Sequence, residues 1–155
     1  MTMVCEKVLF TDVDNQHDLF TTVSDYLEKI GYVTPEYKEK IIEREAEFPT
    51  GLKMDFLEGK EGLNVAIPHS ETQYCKTKTV FYVKNSKYLK FKNIIDPSDE
   101  LEMCMFFFIL NDNAGDQSNI LAELMEFFTT GDNLAVLKNM TDKEEIEKYL
   151  LSKGV

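Results

Sequence analysis

The stretch LEMCMFFFIL, Leu101 to Leu110, is apolar at nearly every position. A strand with one wet face alternates apolar and polar side chains, so an unbroken run points to a central strand covered on both faces. Its eight-residue stretch MCMFFFIL is too short for a membrane span, which needs about 20 residues. Working outward, strands are predicted over Asn64–Ile67, Lys78–Lys84 and Tyr88–Lys92, where TVFYV and YLKF carry the β-branched and aromatic residues that suit a pleated surface. Between Leu52 and Leu63, LKMDFLEGKEGL mixes charges and glycines without a period and reads as a loop or a frayed hairpin.

Helical spacing surrounds these strands. Leu19, Val23, Leu27 and Ile30 share one face of a helix predicted from Gln16 to Ile30, with Asp14 or Asn15 as cap and Gly31 as stop. Thr34 followed by Pro35 predicts the start of a second helix, with Tyr37, Ile41 and Phe48 on its apolar side and EREAE in its last turns. After NDNAGDQSN a third helix presents Ile120, Leu121, Leu124, Met125 and Phe128 inward and closes at Gly131, and a shorter one spans Asn133–Asn139. Thr141 and Glu144 form a capping box for the last helix. Strands alternate with helices and no repeat or Pro/Ser-rich linker intervenes. The expected fold is a single α/β domain over residues 1–155, a mixed β-sheet flanked by helices on both sides.

Composition narrows the function. Of 155 residues, 43% are hydrophobic and 29% charged, a globular balance. With 17 basic against 28 acidic side chains the formal charge is −11, which argues against nucleic-acid binding because that needs a basic face. Cys5, Cys75 and Cys104 are odd in number and lack C-x-x-C spacing, so neither a disulfide framework nor a zinc site is expected. The opening MTMVCEKVLFTDVDN has acidic residues where a signal peptide is apolar. A cytoplasmic protein with reduced thiols, no metal, no cofactor and no membrane insertion is expected.

Two histidines are present. His69 stands in NVAIPHSET, directly after a proline. Pro68 pushes Ile67 towards an extended conformation, so His69 should lie on a stiff turn just beyond a strand end, where functional residues collect in α/β proteins. A neutral imidazole is available near pH 7 as a nucleophile. The residues themselves leave two readings open, a nucleophile or a histidine satisfied in a turn. His17 falls in a helix first turn and reads as a surface or cap residue. Cys75, six residues after His69, invites a redox or relay role but reads first as an ordinary strand-edge thiol, and Met103, Met105 and Phe106–Phe108 read as core.

The combination REAEFPTGL and NVAIPHSE resembles the IIA proteins of the bacterial phosphotransferase system, within them the fructose/mannitol-type superfamily, and most of all the galactitol-specific EIIA branch. The resemblance covers nearly the whole chain. It implies the EIIA type-2 fold and a phosphocarrier: the phosphocarrier HPr gives a phosphoryl group to His69, and the group passes to a cysteine of the cognate EIIB, which serves the membrane component EIIC. It also implies that the phosphoryl group sits on Nε2, with Nδ1 bonded to the protein. Arg44 matches an arginine that lies beside the active histidine in related proteins, and a guanidinium fork fits phosphate oxygens. The competing reading pairs Arg44 with Glu43, Glu45 or Glu47 on a solvated helix.

Thr50, Ser70 and Gln117 are further candidates for phosphate binding, and GDQSN could offer backbone amides at a helix N-terminus. Turn and cap roles explain Thr50 and Ser70 nearly as well. Mannitol- and fructose-type members often carry a second histidine where alignment places Gln117, which can donate a hydrogen bond but cannot take up a proton or a positive charge. The segment Lys53–Gly62 is longer than usual and is expected to bulge at the site's rim. Two partners reaching one imidazole imply apolar residues around His69. The alternative function is a regulatory EIIA-like domain that senses phosphorylation state and binds a target protein; a binding module that is never phosphorylated fits least with an intact AIPH.

Overall fold

The computed structural model describes residues 6–55 and 57–155; Cys5 lies outside them. The Leu101–Leu110 run becomes β5, Glu100–Leu110, buried from Met103 to its end. It pairs antiparallel along most of its length with β4, Thr79–Lys92, and parallel with the short β3, Val65–Ala66. β1, Val8–Thr11, runs parallel on the outer side of β4, and β2, Gly51–Leu52, pairs antiparallel with β3. Among the described residues the sheet order is therefore β1-β4-β5-β3-β2, a mixed sheet as expected.

Helices cover both faces. α1, Gln16–Lys29, and α2, Tyr37–Glu47, pack on Phe81, Val83, Phe106 and Phe108. α3, Gln117–Thr129, α4, Asn133–Asn139, and α5, Lys143–Ser152, pack on Val65, Tyr82, Met105 and Phe107. From Met105 to Leu110 successive residues of β5 thus feed opposite cores, which is why the run shows no alternation. Asn15 caps α1 by accepting from the Asp18 N–H, and Gly31 follows with φ +84°, a conformation that suits glycine.

Several local expectations are corrected. The predicted strands Lys78–Lys84 and Tyr88–Lys92 are one strand with a register shift between Lys84 and Leu89. At that shift Asn85 is buried and put to use. Its side chain accepts from the Thr11 hydroxyl and the Val13 N–H and donates to the Val13 carbonyl, fastening the end of β1. β1 itself was not predicted; four residues carry no period, and parallel pairing with Tyr82–Asn85 holds them. The second helix starts at Tyr37 rather than after Thr34, because Thr34, held extended before Pro35, opens a turn whose carbonyl accepts the Tyr37 N–H. The last helix is capped by Asp142 and not Thr141, a shift of one residue. On α3, Phe127 is buried and Met125 is 40% exposed, so the inner stripe is rotated from the predicted one.

The 53–62 segment forms the connection of the β2–β3 hairpin. Its Lys60 ammonium donates to the Gly131 carbonyl at 2.7 Å, and the Tyr88 hydroxyl donates to the Gly62 carbonyl. Those anchors lie at the end of β3 opposite His69 and beyond the C-terminus of α3, so the expected bulge at the rim of the site is not found.

Gly51 is fixed by close approach: a Cβ there would stand 2.6 Å from the Lys92 carbonyl oxygen, which is backbone and cannot swing aside. Gly51→Ala should therefore cost about 1–3 kcal/mol in denaturant unfolding, and a variant as stable as the wild type would show that β2 has room to move.

Candidate active site

β3 and β5 run parallel and end on the same side of the sheet, where α/β proteins place their sites. Beyond β3 the chain stays beside β5: the Ile109 N–H donates to the Pro68 carbonyl at 3.0 Å, and His69 bridges to Ile109. On the other side the Ile67 N–H donates to the Thr50 carbonyl at 3.1 Å. His69 thus leaves the sheet from a segment bonded on both flanks, which is the stiff strand end that Pro68 announced.

The imidazole is half-buried. Its Nδ1 lies 2.8 Å from the Ile67 carbonyl oxygen. A carbonyl only accepts, so Nδ1 carries the proton and Nε2 keeps its lone pair. Burial holds the His69 pKa below its ordinary value, and the Arg44 guanidinium pushes the same way. The Ile67 bond and the Glu71 carboxylate oppose them without reversing the shift. The net result is a neutral imidazole at pH 7 with a free Nε2 lone pair.

Arg44 lies near His69 on the last turn of α2. Its Nη1 is 3.4 Å from Glu71 Oε1, and its guanidinium carbon stands 5.3 Å from the centroid of the Phe48 ring. Its Nε is buried and has no hydrogen-bond partner among the described residues. The expected competitors were Glu43, Glu45 and Glu47, yet the partner comes from the His69 loop instead. A guanidinium with spare donors beside a neutral imidazole is suited to an anion. Phe48, predicted on the buried side of α2, is 54% exposed and lines a cleft of about 180 Å³ with Arg44, Glu71 and Tyr74.

The remaining candidates are placed differently. The Thr50 hydroxyl is buried and donates to Glu45 Oε1 at 2.6 Å, and the Thr50 N–H donates to Glu45 Oε2 at 2.8 Å. Thr50 therefore reaches His69 through backbone and not through its hydroxyl. The Ser70 hydroxyl donates to the Glu71 carbonyl at 2.9 Å and lies 3.8 Å from the Cys75 sulfur. Burial raises the Cys75 thiol pKa, which keeps the thiol protonated at neutral pH. Gln117 opens α3, and its Oε1 accepts from the Asn111 side chain at 2.9 Å. That bond turns the NH2 of Gln117 into its remaining polar end. His17 is an exposed first-turn residue of α1.

Sequence reasoning missed Glu45 and Glu71. The signal for Glu45 was present: Tyr37, Ile41 and Glu45 recur every fourth residue, and all three are buried on one stripe of α2. Glu71 gave no such signal, since only the fold brings α2 to it.

The family model for the phosphoenolpyruvate-dependent sugar phosphotransferase system, EIIA 2, matches residues 3–153. The chain belongs to this EIIA family. Over 140 residues it is 24% identical to the galactitol-specific EIIA component of Escherichia coli K12, covering 88% of this chain and 89% of that protein. The fold is shared with E. coli IIA mannitol at 18% identity, with coverage of 97% and 99% and a TM-score of 0.70. The same protein has been solved in complex with phosphorylated IIB mannitol; there the identity is 19%, the coverage 97% and 98%, and the TM-score 0.69. The nitrogen regulatory protein IIA-Ntr of Neisseria meningitidis is 23% identical, with coverage of 94% and 92% and a TM-score of 0.69. Among the described residues of this EIIA protein no helix is long and apolar enough to cross a membrane.

Two titrations check the electrostatics of the EIIA site. Removing Arg44 takes away a charge that lowers the His69 pKa, so Arg44→Ala should raise the midpoint seen by NMR, and Glu71→Gln should lower it; shifts in one common direction would contradict this geometry. Burial raises the Glu45 pKa from 4.5 to about 7, outweighing its bonds from Thr50. The folded chain then holds a proton that the unfolded chain has lost, so this group's stabilisation is complete below about pH 4.5 and lost as pH rises through about 7. Between those values the wild type should lose on the order of 3 kcal/mol relative to Glu45→Gln. Parallel stability profiles of the two proteins would exclude Glu45 as the titrating group.

Proposed function

We propose that the chain is a phosphocarrier of a sugar or polyol phosphotransferase system, accepting a phosphoryl group from HPr on His69 and passing it to a cysteine of its cognate EIIB. The observation that carries this reading is the 2.8 Å contact between His69 Nδ1 and the Ile67 carbonyl, which leaves Nε2 with its lone pair. In the loading step that lone pair attacks phosphorus, an N–P bond forms, and the bond to the donor breaks. The Nδ1–H bond to Ile67 stabilises the positive charge that develops on the ring. Arg44 supports the transferring oxygens once it exchanges Glu71 for phosphate. Transfer onward reverses the geometry: a thiolate of EIIB attacks phosphorus and the N–P bond breaks, restoring the same tautomer.

The galactitol assignment rests on the 24% identical relative, and the EIIB partner on the complex of the mannitol protein. Such a carrier works in the cytoplasm and serves EIIC only through EIIB. Gln117, at the start of α3, provides an amide donor where an imidazole would add a charge; one phosphoryl group per chain is expected. The alternative is a regulatory EIIA-like domain, a reading favoured by the fold shared with IIA-Ntr. The same phosphohistidine would then report phosphorylation state to a bound target.

Incubation with phosphoenolpyruvate, enzyme I and HPr should add one acid-labile, base-stable phosphoryl group by intact mass, and His69→Ala should add none. Equal labelling of that variant would end the proposal. Arg44→Ala should slow loading by roughly 10- to 100-fold. Onward transfer to a galactitol-type EIIB separates the carrier from the regulator, which would keep its label.

A further inference from the structure

Glu45 is buried, charged at alkaline pH and unused by the transfer chemistry. Its bonds form the first link of a continuous series. Glu45 takes both donors of Thr50, the N–H at 2.8 Å and the hydroxyl at 2.6 Å. The Thr50 carbonyl accepts the Ile67 N–H at 3.1 Å. The Ile67 carbonyl accepts His69 Nδ1–H at 2.8 Å. Between Glu45 and Thr50 the chain turns out of α2 through Phe48 and Pro49, and Gly51 then pairs with Ala66. Without an acceptor at Glu45, two buried donors at this corner would be left unpaired, a costly state, and the corner would shift to find others. Arg44 stands one residue away on the same helical turn, so the corner also sets the distance between the two site residues.

We propose that Glu45 is a positioning residue for His69, holding the Thr50 corner so that the Ile67 carbonyl stays where it selects the Nδ1–H tautomer. The device works in both protonation states. Ionised, the carboxylate accepts from both donors. Protonated, one oxygen still accepts the Thr50 N–H while the acid O–H donates to the Thr50 hydroxyl. A glutamine reproduces that second arrangement atom for atom, with its NH2 in place of the acid O–H.

The consequence for phosphoryl transfer rests on the phosphocarrier reading, but the tautomer does not, and the two are measured separately. Nitrogen-15 NMR of His69 reads the tautomer in the intact, unphosphorylated chain; the loading rate from HPr is the second readout. Glu45→Met fills the space and removes the acceptors. It should move a large share of His69 from the Nδ1–H to the Nε2–H form, which imidazole favours in water, and slow loading roughly tenfold. Glu45→Gln should keep the wild-type spectrum and rate. Thr50→Val, which loses only the hydroxyl, should give a smaller shift of the same kind, about two- to threefold in rate, and is the deciding variant where Glu45→Met does not fold.

A merely structural glutamate would lower the melting temperature of Glu45→Met and leave the His69 spectrum untouched; that outcome overturns the proposal. So does a Glu45→Gln spectrum as altered as that of Glu45→Met, or, in the fallback, an unaltered Thr50→Val spectrum. If no variant and no wild-type protein is ever loaded while the spectra change as described, the positioning role stands and the phosphocarrier reading fails.

Discussion

The burial of β5 on both faces is the constraint on which the rest of this structure depends. Phe107 meets Tyr82 and Phe128 on one side, at ring distances of 5.0 and 4.8 Å. Phe106 and Phe108 meet Phe91 and Phe20 on the other, at 5.2 and 6.0 Å. Water cannot be kept from both faces by one layer, so α1 and α2 must close one and α3, α4 and α5 the other. The exposed ends of the sheet are then the places left for chemistry. His69 stands at one of them, where β3 runs alongside β5 in parallel and the chain has just left the sheet.

The rigidity of the site follows from the same sheet. A two-residue strand such as β3 has little stability alone. It is held because β5 supports one edge and β2 the other, with Pro68 and Thr50 extending the bonding to the residue before the imidazole. The Nδ1–H bond to Ile67 spans only two residues, so its geometry is inherited from the backbone. A nucleophile oriented this way loses little entropy on reaction. Arg44 and Glu71 supply opposite charges near that ring, and burial sets the sign of the net effect.

Much of this was legible in the residues. The unbroken apolar run gave the central strand, PH gave the rigid strand end, and apolar spacing gave most of the helices. The failures have two causes. Thr34 and Thr141 read as caps, but neighbouring residues take the position, a shift within the local chain. Phe48 reads as core until the corner turns it outward beside Arg44, and β1 carries no period until β4 is beside it. There a local preference of about 1 kcal/mol was outweighed by a tertiary contact.

By itself, the sequence determined the fold class, the identity of the candidate nucleophile and the family pattern around it, because burial periodicity and proline stiffness are properties of neighbouring residues. Only the tertiary structure decided which carboxylates matter. Glu45 and Glu71 look like any of the acidic side chains of a chain with charge −11. They differ because folding removes water from one, beside Thr50, and brings the other across from its own loop to Arg44 on α2. Desolvation and through-space charge depend on distances that no spacing along the chain encodes.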